Sequence, residues 1–362
     1  MRKKVRLTIR MLSTAIMFMV MFTAPVGGQE IIQNPGKPTA SNAGRVLKFQ
    51  EIWSVSDQEG YFYFKYPYRL SIASDGSIYL QDSRELLKFS PAGKFLSNLF
   101  KPGEGPGEMS DQFDYQLFRN GLVFYDLNKR KLWRTDSDGH LAEEIRLPAQ
   151  DNRHLIGTYQ GRFIFYREAV PGQGAAVQGF ADIPHVILLT SEDGKMETEI
   201  YSFLFRRFLI PGGGMNFGNS IKSVSDDGRF IYGFHGMEYQ VEVLDLETKT
   251  IVRRFQRDYD RVLNQESPNQ KQFREKLGIP KSDFKADIVD LMPNGAEIWV
   301  ATSTEKPDKS RMWDVFDDRG RYIDNFYLGA GRSLLKASSG TVFVLEKNAD
   351  ETLRLVKAKI VD

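Results

Sequence analysis

The chain has 362 residues, 49 basic and 47 acidic side chains, 41% hydrophobic content, 12% aromatics and no cysteine. That length supports a large buried core, and the missing thiols exclude disulfides, a lipid-modified N-terminal cysteine and soft thiolate metal sites. With the five basic residues of positions 1–28 set aside, 44 basic face 47 acidic side chains, and this balance argues against a nucleic-acid binder.

Arg2, Lys3, Lys4, Arg6 and Arg10 precede an apolar run from Met11 to Phe22. The run is too short for a membrane span, and Val26 and Gly28 are small residues before Gln29, so residues 1–28 read as an export signal. No later stretch could cross a bilayer. Residues 29–44 are polar, with two prolines and two glycines, and read as a tether. Val46 to Val55 then supplies the apolar content of a strand with no obvious partner nearby.

Pro67 to Gly107 contains four short apolar runs, Tyr68–Ala73, Ile78–Leu80, Leu86–Phe89 and Phe95–Phe100, separated by Gly, Pro, Asp and Ser clusters. That is the signature of consecutive hairpins. Four antiparallel strands in about forty residues match one blade of a propeller. The turn before the second strand recurs at Asp75-Gly76, Asn120-Gly121, Gln160-Gly161, Asp227-Gly228, Asn294-Gly295 and Ser339-Gly340. The outer hairpin is marked at Gly93, Gly139, Gly194 and Gly320, with Glu247–Thr250 as a version lacking glycine. Only five outer hairpins are present, because the chain ends at Asp362 after three strands of the last repeat. The expected fold is therefore all-β: a six-bladed β-propeller over 45–362, closed by the N-terminal strand Val46–Val55 pairing with Leu353–Ile360. Such closure removes an open sheet edge.

The expected blades run from Pro67, Tyr115, His154, Ile221, Ala286 and Leu334. Blade three carries Pro171–Ala176 between its second and third strands, and its exit is the glycine-rich run Pro211–Asn219. An insertion at 256–285 follows blade four, with helical character from Asn269 to Leu277 and Gly278 as its stop. Within the first repeat, Ile72–Tyr79, Asp82, Lys88-Phe89, Gly93–Phe95 and Gly103–Gly107 resemble an NHL repeat. More broadly they resemble the exported bacterial six-bladed propellers that share it. The resemblance implies the fold. Related six-bladed families include lactonases and amidating lyases with metal at the channel mouth. This chain lacks the histidine-rich, cysteine-stabilised lyase pattern, and no catalytic residue is carried over.

The four histidines, His140, His154, His185 and His235, have no metal-ligand spacing, so no metal or catalytic set is assigned. Asp75, Asp82, Asp126, Asp227 and Asp318 recur with the blades, as expected of turn-capping carboxylates. Gly103–Gly107 and Gly212–Gly214 lack the lysine and helix of a phosphate loop. In a propeller the inner strands all start on one face of the central channel. Arg69, Asp114, His154, Asn219, Asp287 and Arg332 stand at those starts and form a candidate ligand-binding funnel. Two tyrosine- and phenylalanine-rich stretches, Tyr61–Tyr68 and Phe203–Phe217, offer a rival binding surface or packing between blades. The expected function is an exported, periplasmic or secreted binding module for a protein or glycan, monomeric, with no nucleic-acid partner and no cofactor assigned. The alternative is a metal-dependent hydrolase, lactonase or lyase at the channel mouth, with Ca²⁺ as its cofactor.

Overall fold

A computed structural model describes residues 31–147, 152–169, 179–210, 213–216, 221–234, 237–338 and 340–361. The signal segment 1–28, the blade-three insertion 171–176, Asn219 and His235 lie outside the described residues. Blade one is Pro67–Ile72, Ile78–Asp82, Glu85–Phe89 and Phe95–Asn98, paired in chain order. Its first turn forms because Gly76 adopts φ +83° while Asp75 accepts the Ser77 amide at 2.9 Å. The two middle strands are buried along almost their whole length. Both of their faces pack against neighbouring blades, so they read as continuous apolar runs rather than alternating ones.

Five more sheets repeat this plan, and the chain is a six-bladed β-propeller. Among the described residues the core divides into six apolar clusters, one in each gap between adjacent blades. Blade six consists of Arg332–Ser338, Thr341–Lys347 and Leu353–Val361, and is completed by Lys48–Ser56. The closing strand is antiparallel, in register from Arg354 opposite Ser56 to Val361 opposite Lys48. The ring is thus shut as the count of hairpins predicts.

The N-terminal segment does more than close the ring. Ile31–Asn34 adds a parallel fifth strand to the outer edge of blade four, and Arg45–Val46 adds one to blade five. The expectation of a free tether over 29–44 is corrected accordingly. Ile31–Asn34 satisfies an outer edge that would otherwise present unpaired backbone groups. Asn34 also spans two blades: its amide donates to the carbonyls of Gln256 at 3.0 Å and Gly320 at 2.9 Å, and its side-chain oxygen accepts the Tyr322 amide at 2.9 Å. One arm therefore straps the outer edges of blades four, five and six.

Trp53 of the closing strand reaches the next blade, where its Nε1 donates to the Pro91 carbonyl at 3.1 Å. Gly93 sits against its indole at φ +80°, and a Cβ there would lie 2.8 Å from ring atoms. Gly93→Ala should therefore lower stability by roughly 2 kcal/mol, through the positive φ and the lost contact together. A urea melt with an unchanged midpoint would show that the indole yields freely.

Blades four and five share a buried ionic group. Arg257 Nε donates to Asp314 Oδ2 at 2.8 Å, and the hydroxyls of Tyr239 and Tyr322 donate to the same carboxylate at 2.7 and 2.6 Å. The guanidinium is flanked by the rings of Tyr239, Tyr259 and Tyr322 at 4.8–5.1 Å. Burial pushes the Tyr239 phenol well above its usual range, and the Asp314 charge adds to that.

Candidate functional site

Connections from each outer strand to the next inner strand open on the face where the inner strands begin. On it lie the Tyr-rich segment 57–66, the glycine-rich crossing 99–112 and the insertion 258–287. The turns of the opposite face are short hairpins. Long loops on one side of a rigid scaffold are where binding residues concentrate.

The insertion carries a helix, Pro268–Lys276, one residue earlier than the sequence predicts. Ser267 caps it reciprocally with Gln270, and Gly278 at φ +63° ends it. No residue of the helix is buried, and Phe273 is exposed. The crossing at 103–107 is filled from within, because the Glu108 carboxylate accepts the Gly105 amide at 2.8 Å. That internal acceptor occupies the place a phosphate would need.

Three of the six funnel residues meet. Arg69 Nη1 donates to Asp114 Oδ1 at 3.3 Å, and His154 Nδ1 lies 3.2 Å from Asp114 Oδ2. The same Oδ2 accepts the Leu155 amide at 3.0 Å. Blades one, two and three each contribute one member, set at the second or third residue of an inner strand. Asp114 is buried, while Arg69 and His154 keep part of their side chains in solvent. With Nδ1 turned to the carboxylate, the His154 Nε2 is the ring's other polar atom. The imidazole stacks on Tyr166, with ring centroids 5.0 Å apart, and Tyr166 stacks on the buried His185 at 5.7 Å. Burial pushes the Tyr166 phenol up to about 12. The ring plane of His154 is thereby held from one side and its nitrogen from another.

Asp287 and Arg332 do not join this group but pair with other residues. Asp287 is buried against Arg261 of the insertion at 3.0 Å, and burial raises its carboxyl despite the guanidinium. Arg332 pairs with Glu346 of its own blade at 2.8 Å and lies over Phe49. Asn219 falls outside the described residues. The two aromatic stretches separate cleanly. In the first, Tyr61, Tyr63, Tyr66 and Tyr68 are exposed while Phe62 and Phe64 are buried. In the second, Phe203, Phe205 and Phe208 are buried between strands and blades, so that stretch is core; Phe217 is outside the described residues. Tyr66 and Tyr68 lie beside Arg69 in the chain, their rings 6.1 Å apart at 36°.

The recurrent carboxylates act as expected, with one change of place. Asp126 accepts the amides of Ser110 and Lys129 at 2.6 and 2.8 Å, tying the crossing loop to its blade. In blade five the capping residue is Asp317, which accepts from Arg319 and Arg321, and not Asp318. Among the described residues no group of three or more His, Asp or Glu is arranged to hold a metal ion.

Below Arg69 a cavity of about 550 Å³ runs along the inner strands of blades one, two, three, four and six. Lys336 of blade six and Asp226 of blade four form an ion pair at its far end. Reasoning from strand starts missed this pair, since both residues lie at the ends of inner strands. The available signal was a lysine inside Ser333–Ser338, a strand whose neighbours are Leu334, Leu335 and Ala337.

Residues 59–293 match a family described as 6-bladed beta-propeller, DUF5128. No curated protein matches the sequence. Among solved structures, a Bacteroides fragilis protein described as exported superposes with a TM-score of 0.56 at 11% identity, covering 92% of this chain and 100% of its own. A DUF4221 member from Bacteroides vulgatus gives 0.54 at 11% identity, with 88% and 98% covered. A virginiamycin B lyase of Staphylococcus aureus gives 0.44 at 12% identity, covering 87% and 100%. At these identities the likeness is one of fold.

Proposed function

The chain belongs to the DUF5128 family of six-bladed β-propellers, and from that premise we propose that it is an exported, non-catalytic binding module for a glycan or protein ligand. The ligand is received on the loop-rich face, at the channel mouth. One observation carries the reading: Arg69, Asp114 and His154 are joined across three blades beside the exposed pair Tyr66 and Tyr68. Tyrosine rings offer flat apolar area with a polar tip, which suits sugar faces and protein side chains. Arg69 adds donors and His154 adds its Nε2, and the buried carboxylate between them fixes both positions. Export is supported by the basic and apolar pattern of the first 28 residues.

A glycan array probed with the mature chain tests this. Tyr66→Ala and His154→Ala should each weaken capture at least tenfold, about 1.4 kcal/mol or more, with the melting temperature nearly unchanged. Capture that survives both substitutions would place the ligand elsewhere.

One feature favours a second reading, a hydrolase or lyase at the same mouth. The Asp114–His154 pair orients an imidazole as a general base requires. Turnover of a lactone or ester panel that is lost in His154→Ala would establish it.

A further inference from the structure

A cavity continues into the channel beyond the mouth, with Arg69 at the boundary between the two. It lies mainly toward the face of short hairpins and is walled by inner strands of five blades. At about 550 Å³ it falls within the range of small-molecule sites. Its walls are polar where many such sites are apolar: Ser71, Thr158, Ser223 and Ser338 contribute hydroxyls from four different blades. Hydroxyls both donate and accept, so they match a polyhydroxylated partner without fixing one orientation of its hydrogen bonds.

The charges of the lining are two cations and one anion. Arg69 stands at the end nearer the mouth and is partly offset by Asp114 outside the cavity. Lys336 stands at the other end and bridges blade six to Asp226 of blade four, across the position of blade five. An ammonium has three hydrogens, and the bridge to one carboxylate leaves it able to donate to a ligand as well. Among the lining residues the cations outnumber the anion by one, and with Arg69 paired to Asp114 behind it, Lys336 is the cation left to receive a ligand. Asp226 at the same end repels a dianionic phosphate more strongly than a single carboxylate.

We propose that this cavity binds a carboxylate-bearing sugar, a uronic or aldonic acid of one or two residues, with the carboxylate at Lys336 and the hydroxyls on the serine and threonine wall. The cation at the floor gives the charge selectivity, since charge-assisted hydrogen bonds are about twice as strong as neutral ones.

Isothermal titration of the mature chain with glucuronate tests the assignment, with glucose and glucose 6-phosphate as controls. Glucuronate should bind at least tenfold more tightly than either control. Lys336→Met should remove that preference, and Lys336→Arg should retain most of it. Equal binding of glucuronate and glucose, or no glucuronate heat in a wild-type sample that melts cooperatively, would overturn the proposal. So would a glucuronate affinity that Lys336→Met leaves intact. Should Lys336→Met fail to fold, the same preference measured at rising salt decides, because a charge-based preference must decline with ionic strength.

Discussion

A chain beginning after Ser56 should show no cooperative melt as a monomer. The deletion removes the outer strand of blade six and the added strands of blades four and five together. Leu47 and Val55 are buried in the gaps on either side of blade six, and each such side chain contributes about 1.5–3 kcal/mol. Leu353–Val361 would in addition present a full row of unpaired backbone groups, an invitation to edge-to-edge association. Against a total stability on the order of 5–15 kcal/mol, the loss leaves little. Circular dichroism against temperature, with size-exclusion chromatography, checks it. A monomer melting within a few degrees of the full chain would show that the six gaps hold without their strap.

Asp314→Ala should cost roughly 3–5 kcal/mol, the range for breaking a buried ion pair from one side. It strands the Arg257 guanidinium among three rings and leaves the hydroxyls of Tyr239 and Tyr322 without their shared acceptor. Burial alone would disfavour the cation, but the charge and hydrogen bond of Asp314 together with the neighbouring Tyr239 and Tyr322 outweigh it and hold the Arg257 pKa above its usual value. The double change Asp314→Leu with Arg257→Met should be less damaging than Asp314→Ala alone, because both charges leave together. Urea denaturation of the wild type, Asp314→Ala, Arg257→Met and the double variant measures this. If the double variant is less stable than Asp314→Ala by the full cost of Arg257→Met, the two residues are not coupled.

The ring was legible because hairpin turns need glycine or a capping carboxylate at fixed places, and those places recur in the chain. The closing strand followed by subtraction: five outer hairpins leave one edge open. Ile31–Asn34 was not legible, because a four-residue parallel addition has no turn to announce it and its polar neighbours hid two isoleucines. The funnel was half legible. Topology alone fixes where Arg69, Asp114 and His154 stand, and alternation along each strand does not fix how they pair. Asp287 was drawn away by Arg261, a residue of an insertion whose path no repeat could supply. Arg332 was drawn to Glu346 because the two face each other in adjacent strands of one sheet.

The strap also sets an order of events. Lys48–Ser56 is among the earliest described residues to be made, and its partner Leu353–Val361 among the last. On a ribosome, blade six cannot be completed until Leu353–Val361 has been made, whatever the speed of local hairpin formation. While the five intervening blades are being made, Lys48–Ser56 therefore waits unmated, a strand edge open to other chains.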